Sequence, residues 1–175
     1  MLAAASYAMF VAENGTVPAT APADFQAGVF NTLNGTDLRA MMSVCFKQDQ
    51  ALADQTGAFI AAIEAKDWAT VKTTVVTLEP EALADAAVCE NDPKYAAVYA
   101  EYEYQQDLVK KAKNDPDWQL KALKAVRPHI AEIKADAADA LNKWNAGDYY
   151  GAGQAVGKVD AIVFSPWMGN GNFLQ

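Results

Sequence analysis

Apolar side chains recur along this chain at the three- and four-residue spacings of an α-helix. The strongest such run lies between residues 123 and 144, where seven apolar positions share one helical face. These positions are Leu123, Val126, Ile130, Ile133, Ala137, Leu141 and Trp144. Pro128 should kink or divide this helix, because proline lacks the backbone N–H that a continuous helix needs.

Helix-ending and helix-starting residues divide the rest of the chain. Asn34-Gly35 and Gly147 are typical helix ends, since glycine tolerates the left-handed backbone conformation. Asp92-Pro93 and Asp115-Pro116 each offer a capping side chain followed by a first-turn proline. Asp148 can cap the last helix. These signals predict separate helices with short connections.

Two further segments are assigned a secondary structure from the spacing of their apolar residues. A single helix is predicted from about Asp37 to Lys66, where apolar positions including Leu38 and Cys45 recur every seven residues. After Asp67 the pattern also fits a helix, although the β-branched run 71–77 suits a strand. We favour a helix there, because no partner strand is predicted elsewhere.

The sequence therefore predicts an all-α fold, an irregular bundle of about six or seven helices with one intramolecular disulfide. We expect an apolar N-terminal segment and Pro/Ala linker at residues 1–22, a helical domain at 23–165 and an irregular tail at 166–175. A length of 175 residues suits a single domain with a sizeable core.

Charge narrows the classes of partner. The chain carries 14 Lys and Arg against 22 Asp and Glu, a net charge of −8. This field repels phosphate backbones and anionic membranes, so neither nucleic acid nor an anionic membrane is an expected partner. No run of apolar residues reaches the length that a transmembrane helix needs.

The chain has two cysteines, Cys45 and Cys89, which we expect to form a disulfide. A disulfide indicates an oxidising compartment, whereas the alternative is two buried thiols in a cytosolic protein. Asn14 and Asn34 both begin sequences that accept N-linked glycans, although each also suits an Asn-Gly turn. Residues 1–12 are apolar but lack the basic start of a secretion signal. Together these features favour a secreted or luminal protein.

Several groups of residues could carry chemistry, and each has a structural explanation. Residues 151–157 look like a dinucleotide-binding glycine loop, but no strand precedes them. Gly153 and Gly157 are instead expected to let another helix approach closely. Glu132, Asp136 and Asp139 fit a solvated acidic face better than a metal cluster, because His129 is the only histidine.

We predict no catalytic site, no metal and no cofactor. His129 lacks the sequence context of a hydrolase nucleophile, since no Gly-x-Ser-x-Gly motif is present. Tyr95, Tyr99 and Tyr102 form a row that is typical of packing, although aromatic helix faces can also hold an apolar molecule.

A combination of short motifs resembles small, uncharacterised secreted helical proteins of ciliates and related protists. The likeness covers residues 23 to 164. It is carried by Ala23-Asp24-Phe25 with Gly28, Gly35-Thr36-Asp37-Leu38, Cys45, Trp68, Cys89, residues 144–149, Gly153 and Gly157. The resemblance implies a helical fold, a secretory route and paired cysteines, and it implies no activity.

The expected function is that of a non-enzymatic structural or interaction protein, a subunit of a larger extracellular or luminal assembly whose partners include other protein subunits and its own copies. Candidate contact residues are Phe10, Trp167 and Phe173, which have no evident place in a central core. The alternative is a carrier of a small apolar ligand or lipid between the helices.

Overall fold

A computed structural model describes residues 17–45, 50–67, 69–70, 73–74 and 92–169. This part of the chain is helical and contains no strand. Its α-helices are α1 (Ala21–Asn34), α2 (Arg39–Cys45), α3 (Gln50–Glu64), α4 (Ala96–Asn114), α5 (Trp118–Val126), α6 (Ile130–Asn145) and α7 (Tyr149–Phe164). Single 3₁₀ turns precede α4 (Pro93–Tyr95) and α6 (Arg127–His129). The all-α prediction is confirmed for the described residues.

Several helix ends fall where the sequence places them. Gly35 and Gly147 both take a φ of +79° and end α1 and α6. The Asp148 carboxylate accepts a hydrogen bond from the Gly151 N–H at 2.9 Å and so caps α7. Pro128 lies in the 3₁₀ turn that separates α5 from α6. Glycine and capping side chains act locally, which is why these boundaries were predictable.

Other boundaries differ from the prediction. α1 begins at Ala21, so Pro22 occupies its first turn rather than a linker, because a first-turn residue needs no N–H. The helix predicted between 37 and 66 is present as α2 and α3, on either side of residues 46–49, which lie outside the described part. The segment after Asp67 is helical at its described positions, 69–70 and 73–74, as the sequence analysis favoured.

The end of α3 has an unusual residue. Lys66 takes a φ of +55°, and the Asp67 N–H donates to the Ala62 carbonyl at 3.0 Å. The end of α6 has the same arrangement, with Gly147 in the left-handed position. A lysine there costs about 1 kcal/mol relative to glycine, because its Cβ crowds the backbone.

Helix α1 lies at the centre of the fold and is buried on most of its circumference. One face joins a core cluster with α2, α3 and α4, in which Phe30 and Tyr102 make an edge-to-face contact with centroids 5.0 Å apart. The opposite face joins a second cluster with α3, α6 and α7, in which Phe25 meets Trp144 edge-to-face at 5.8 Å. A helix that packs on two sides must be apolar on two sides, as this sequence is.

Helix α5 differs from the other helices because none of its residues is fully buried. Leu123 and Ile130 were predicted to continue the core-facing stripe of α6, but both are exposed. The 3₁₀ turn at Arg127–His129 separates α5 from α6, and the buried apolar positions lie in the later part of α6, at Ala140 and Trp144. Among the described helices, none combines the length and the hydropathy of a membrane-spanning segment.

Candidate functional site

Glycines allow α1 and α7 to pack with their backbones in contact. A Cβ built on Gly153 would overlap the Phe25 carbonyl oxygen, and one built on Gly28 would overlap the Tyr150 carbonyl oxygen. At Gly157 an added Cβ would lie 2.8 Å from the Thr32 Cβ. Only hydrogen atoms fit at these positions, as at other close helix crossings. Gly153 and Gly157 thus lie where the sequence analysis expected them.

Polar side chains fix the register of the same contact. The Thr32 hydroxyl donates to the Gln154 carbonyl at 3.2 Å, across the interface. The Gln154 side-chain amide donates to the Asn31 side-chain oxygen at 2.9 Å. Because these bonds join α1 to α7 at one relative position, they specify the pairing that the glycines permit. The contact is structural and exposes no reactive group.

The outer side of α5 is a candidate contact surface. Leu120, Leu123, Lys124 and Arg127 are three or four residues apart and therefore share one side of the helix. We call these four residues the α5 surface. Leu120 is 52% exposed and Leu123 is 62% exposed, whereas the alanines and valine on the opposite side of α5 are half-buried. The two neighbouring leucines together form an exposed apolar patch, and such patches can mark a contact site.

Charge around the α5 surface is opposite to that of the rest of the chain. Residues 110–134 contain seven of the fourteen basic residues and three of the twenty-two acidic residues, a net charge of +4. All other residues together carry −12. The net negative charge is therefore unevenly distributed along the chain, because half of the basic residues are concentrated around α5. An apolar face with a basic rim is typical of a surface that binds an acidic partner.

A cleft of ≈ 160 Å³ lies between α1, α3, α4 and α7. We call it the Asp160 cleft. Its walls are largely apolar and include Phe25, Val29, Phe59 and Val156. An engineered apolar cavity of about this size holds a benzene molecule.

Asp160 is the acidic residue of this cleft. The other polar side chains there have partners within the protein: the Gln26 amide donates to the Gln105 side-chain oxygen at 3.1 Å, and the Thr56 hydroxyl donates to the Leu52 carbonyl at 2.8 Å. No described residue forms a hydrogen bond or ion pair with Asp160. Burial raises the pKa of Asp160 to about 7, because an apolar environment disfavours the charged form.

Three of the predicted site residues are placed as follows. Cys45 is fully buried in the first core cluster. Asn34 is the last residue of α1, and its side-chain nitrogen, the atom that would carry a glycan, is buried. Glycosylation there requires this nitrogen to turn outward. The Trp167 indole N–H donates to Asp115 at 3.0 Å, so this ring is tied to the connection between α4 and α5 rather than free.

Cys89, Asn14, Phe10 and Phe173 lie outside the described residues. The disulfide, the first glycosylation site and two of the three contact residues therefore stay predictions. Within the described part of the chain, no group of three or more His, Cys, Asp or Glu side chains could hold a metal ion.

The polar residues that the sequence singled out are dispersed. His129 is exposed, and its Nδ1 lies 2.8 Å from a Glu132 carboxylate oxygen. Asp139 pairs with Lys143 at 2.8 Å. Asp136 is buried and lies 3.6 Å from the Lys158 Nζ on α7. The prediction of one solvated acidic face is wrong at Asp136, because the packing of α6 on α7 covers it.

The predicted tyrosine row has a packing role at its two ends. Tyr102 is buried against Phe30, and Tyr95 packs against the same core cluster.

Sequence reasoning missed Asp160 and the α5 surface. An aspartate in an apolar helix gives a weak signal in the sequence, namely a charge within the otherwise uncharged run Val159 to Phe164. The basic residues of 110–134 could have been found by counting charge in segments rather than over the whole chain.

No known protein family, curated protein or solved structure matches this chain. The resemblance to secreted helical proteins of ciliates and related protists stays a prediction.

Proposed function

We propose that this protein is a non-enzymatic structural or interaction protein whose copies associate through the α5 surface. The observation that carries the proposal is the pair of exposed leucines, Leu120 and Leu123, within a basic region of an otherwise acidic chain. Apolar contact supplies affinity, and the opposite charges of the two regions orient one copy on the next.

The proposed association is head-to-tail. The α5 surface repels itself, because Lys124 and Arg127 would face their own copies in a symmetric dimer. The rest of the chain, with a net charge of −12, attracts it. A contact between two different surfaces of the same chain generates rings or open filaments, which fits a subunit of a larger assembly.

Sedimentation velocity over a range of protein concentrations tests this proposal. We expect assembly at low salt and at least a tenfold weaker association at 0.5 M salt, because surface charges are then screened within about 4–5 Å. Leu120→Ser with Leu123→Ser should abolish assembly. Lys124→Glu with Arg127→Glu should weaken it at least tenfold, since the partner surface is acidic.

The matched control is Lys66→Glu with Lys94→Glu. Both lysines are exposed and lie outside the basic region, and this variant has the same net charge as the α5 charge variant. Its α5 surface is intact, so this control variant should assemble at least as well as the wild-type protein, apart from the general effect of its more negative net charge. A monomeric wild-type protein at all concentrations, or equal loss in both charge variants, would refute head-to-tail association.

We also propose a secreted or luminal location and a disulfide between Cys45 and Cys89. The full burial of Cys45, and the lack of free cysteines in the described part of the chain, support the bond. It would close a loop of about 44 residues and stabilise the fold by roughly 4 kcal/mol in the chain-entropy model. Intact-mass measurement with and without reductant tests it, and two free thiols in protein from its source would disprove it.

Carriage of a small apolar ligand is the second candidate function. The Asp160 cleft supports it, because a largely apolar cleft of ≈ 160 Å³ can accept a molecule of benzene size. This volume lies below the usual 300–1,000 Å³ of larger ligand sites, so the ligand would be small. Saturable binding of benzyl alcohol, followed by changes in methyl and aromatic NMR signals from Val29 and Phe59, tests this function.

A further inference from the structure

We infer that the Asp160 cleft selects a small apolar amine, whose ammonium group pairs with the Asp160 carboxylate while its hydrocarbon part contacts Phe25 and Val156. This inference rests on ligand carriage by the same cleft. It adds the chemical class of the ligand, which the apolar walls alone do not define.

Asp160 differs from its polar neighbours in the cleft, which have partners within the protein. Gln26 and Gln105 bond each other, and Thr56 bonds the backbone of its own helix. Asp160 is the polar group of the cleft that has no partner among the described residues. A carboxylate in apolar surroundings gains most from a group that brings both positive charge and N–H donors.

The basic side chains of the described residues do not pair with Asp160. Lys158, two positions before Asp160, is directed to Asp136 on α6. The concentrated basic residues around α5 face other carboxylates or solvent: Lys121 pairs with Asp115, and Lys111 pairs with Asp107. None of the described cations forms an ion pair with Asp160, so a ligand can supply the missing charge.

The volume of the cleft limits the size of the ligand. A volume of ≈ 160 Å³ fits one aromatic ring or a short branched chain, with little space for a second. The apolar walls come from three different helices, α1, α3 and α7, so the cleft depends on the folded state. Anions are disfavoured by Asp160, and long lipids are disfavoured by the volume.

Isothermal titration of the full chain with benzylamine and with benzyl alcohol at pH 8 tests the inference, because these probes match in shape and differ in charge. We expect benzylamine to bind at least tenfold more tightly, and Asp160→Asn to abolish this preference. Asp139→Asn is the matched control: it removes the same charge from α6, away from the cleft, and should retain the preference.

A second measurement follows the titration of the Asp160 carboxyl group. An ammonium beside Asp160 should lower the pKa of this carboxyl from about 7, visible as a displaced titration of its carboxyl ¹³C signal when benzylamine is present. Equal affinity for the two probes, or a preference that persists in Asp160→Asn, would overturn amine selectivity while carriage stands. If neither probe binds, both the inference and ligand carriage fail.

Discussion

Replacing Gly153 by alanine tests whether the close contact between α1 and α7 organises this fold. The added Cβ would overlap the Phe25 carbonyl oxygen, and real Cβ atoms essentially never approach such an atom below 3.0 Å. The overlapped atom belongs to the backbone of α1, so no flexible side chain can move aside. The two helices must separate by roughly 1 Å, which forfeits a quarter to a half of each contact between them.

The expected magnitude combines two opposing effects. Overpacking against backbone should cost about 3 kcal/mol, the upper part of the usual range. Alanine is favoured over glycine within a helix by about 1 kcal/mol. The net loss is therefore about 2 kcal/mol, and at roughly 2–4 °C per kcal/mol for a chain of this length the Tm should fall by about 4–8 °C.

Thermal and urea unfolding followed by circular dichroism would measure the effect against two graded controls. At Gly157 the overlap is milder, since the added Cβ lies 2.8 Å from the Thr32 Cβ and 3.0 Å from the Val29 carbonyl oxygen, so alanine there should cost about 1 kcal/mol, less than at Gly153. At Gly169 no atom lies within 4 Å, and alanine should change stability by less than about 0.5 kcal/mol. A Gly153→Ala protein as stable as the wild type would refute the reasoning.

Three further predictions concern stability. Lys66→Gly should stabilise the protein by about 1 kcal/mol in urea unfolding, because it relieves a left-handed lysine. The control Lys110→Gly, in the exposed interior of α4, should destabilise the protein by about 1 kcal/mol. A change in unfolding free energy of the same sign in both variants would contradict this account. Asp148→Ala should cost about 1 kcal/mol by removing the cap of α7, and no change in Tm would argue against the cap. Asp160 has a pKa raised above its ordinary value of 3.8 to about 7, so its ionisation destabilises the folded state as the pH rises between these values. Asp160→Asn should then be more stable than the wild type at pH 8 and equally stable near pH ~3, and a pH-independent difference would exclude this cause.

Local signals in the sequence determined the helical class of this protein and many of its helix ends. Gly35 and Gly147 end their helices because a left-handed residue is needed there, and Asp148 caps the next helix through its own turn. The glycines at 153 and 157 were also interpretable, because their spacing of one turn places both on one side of a helix. These features depend on residues within one or two turns of each other.

Tertiary structure alone decided which apolar faces become core. Leu123 and Ile130 continue a good helical pattern, yet both are exposed, because the pattern cannot encode which neighbouring elements cover a helix face. Asp160 meets its apolar surroundings only when α1, α3 and α4 converge on α7. Its raised pKa is a property of that convergence, because desolvation depends on groups distant in the chain. The sequence thus fixes where helices form, whereas their mutual packing creates the cleft and leaves the α5 surface exposed.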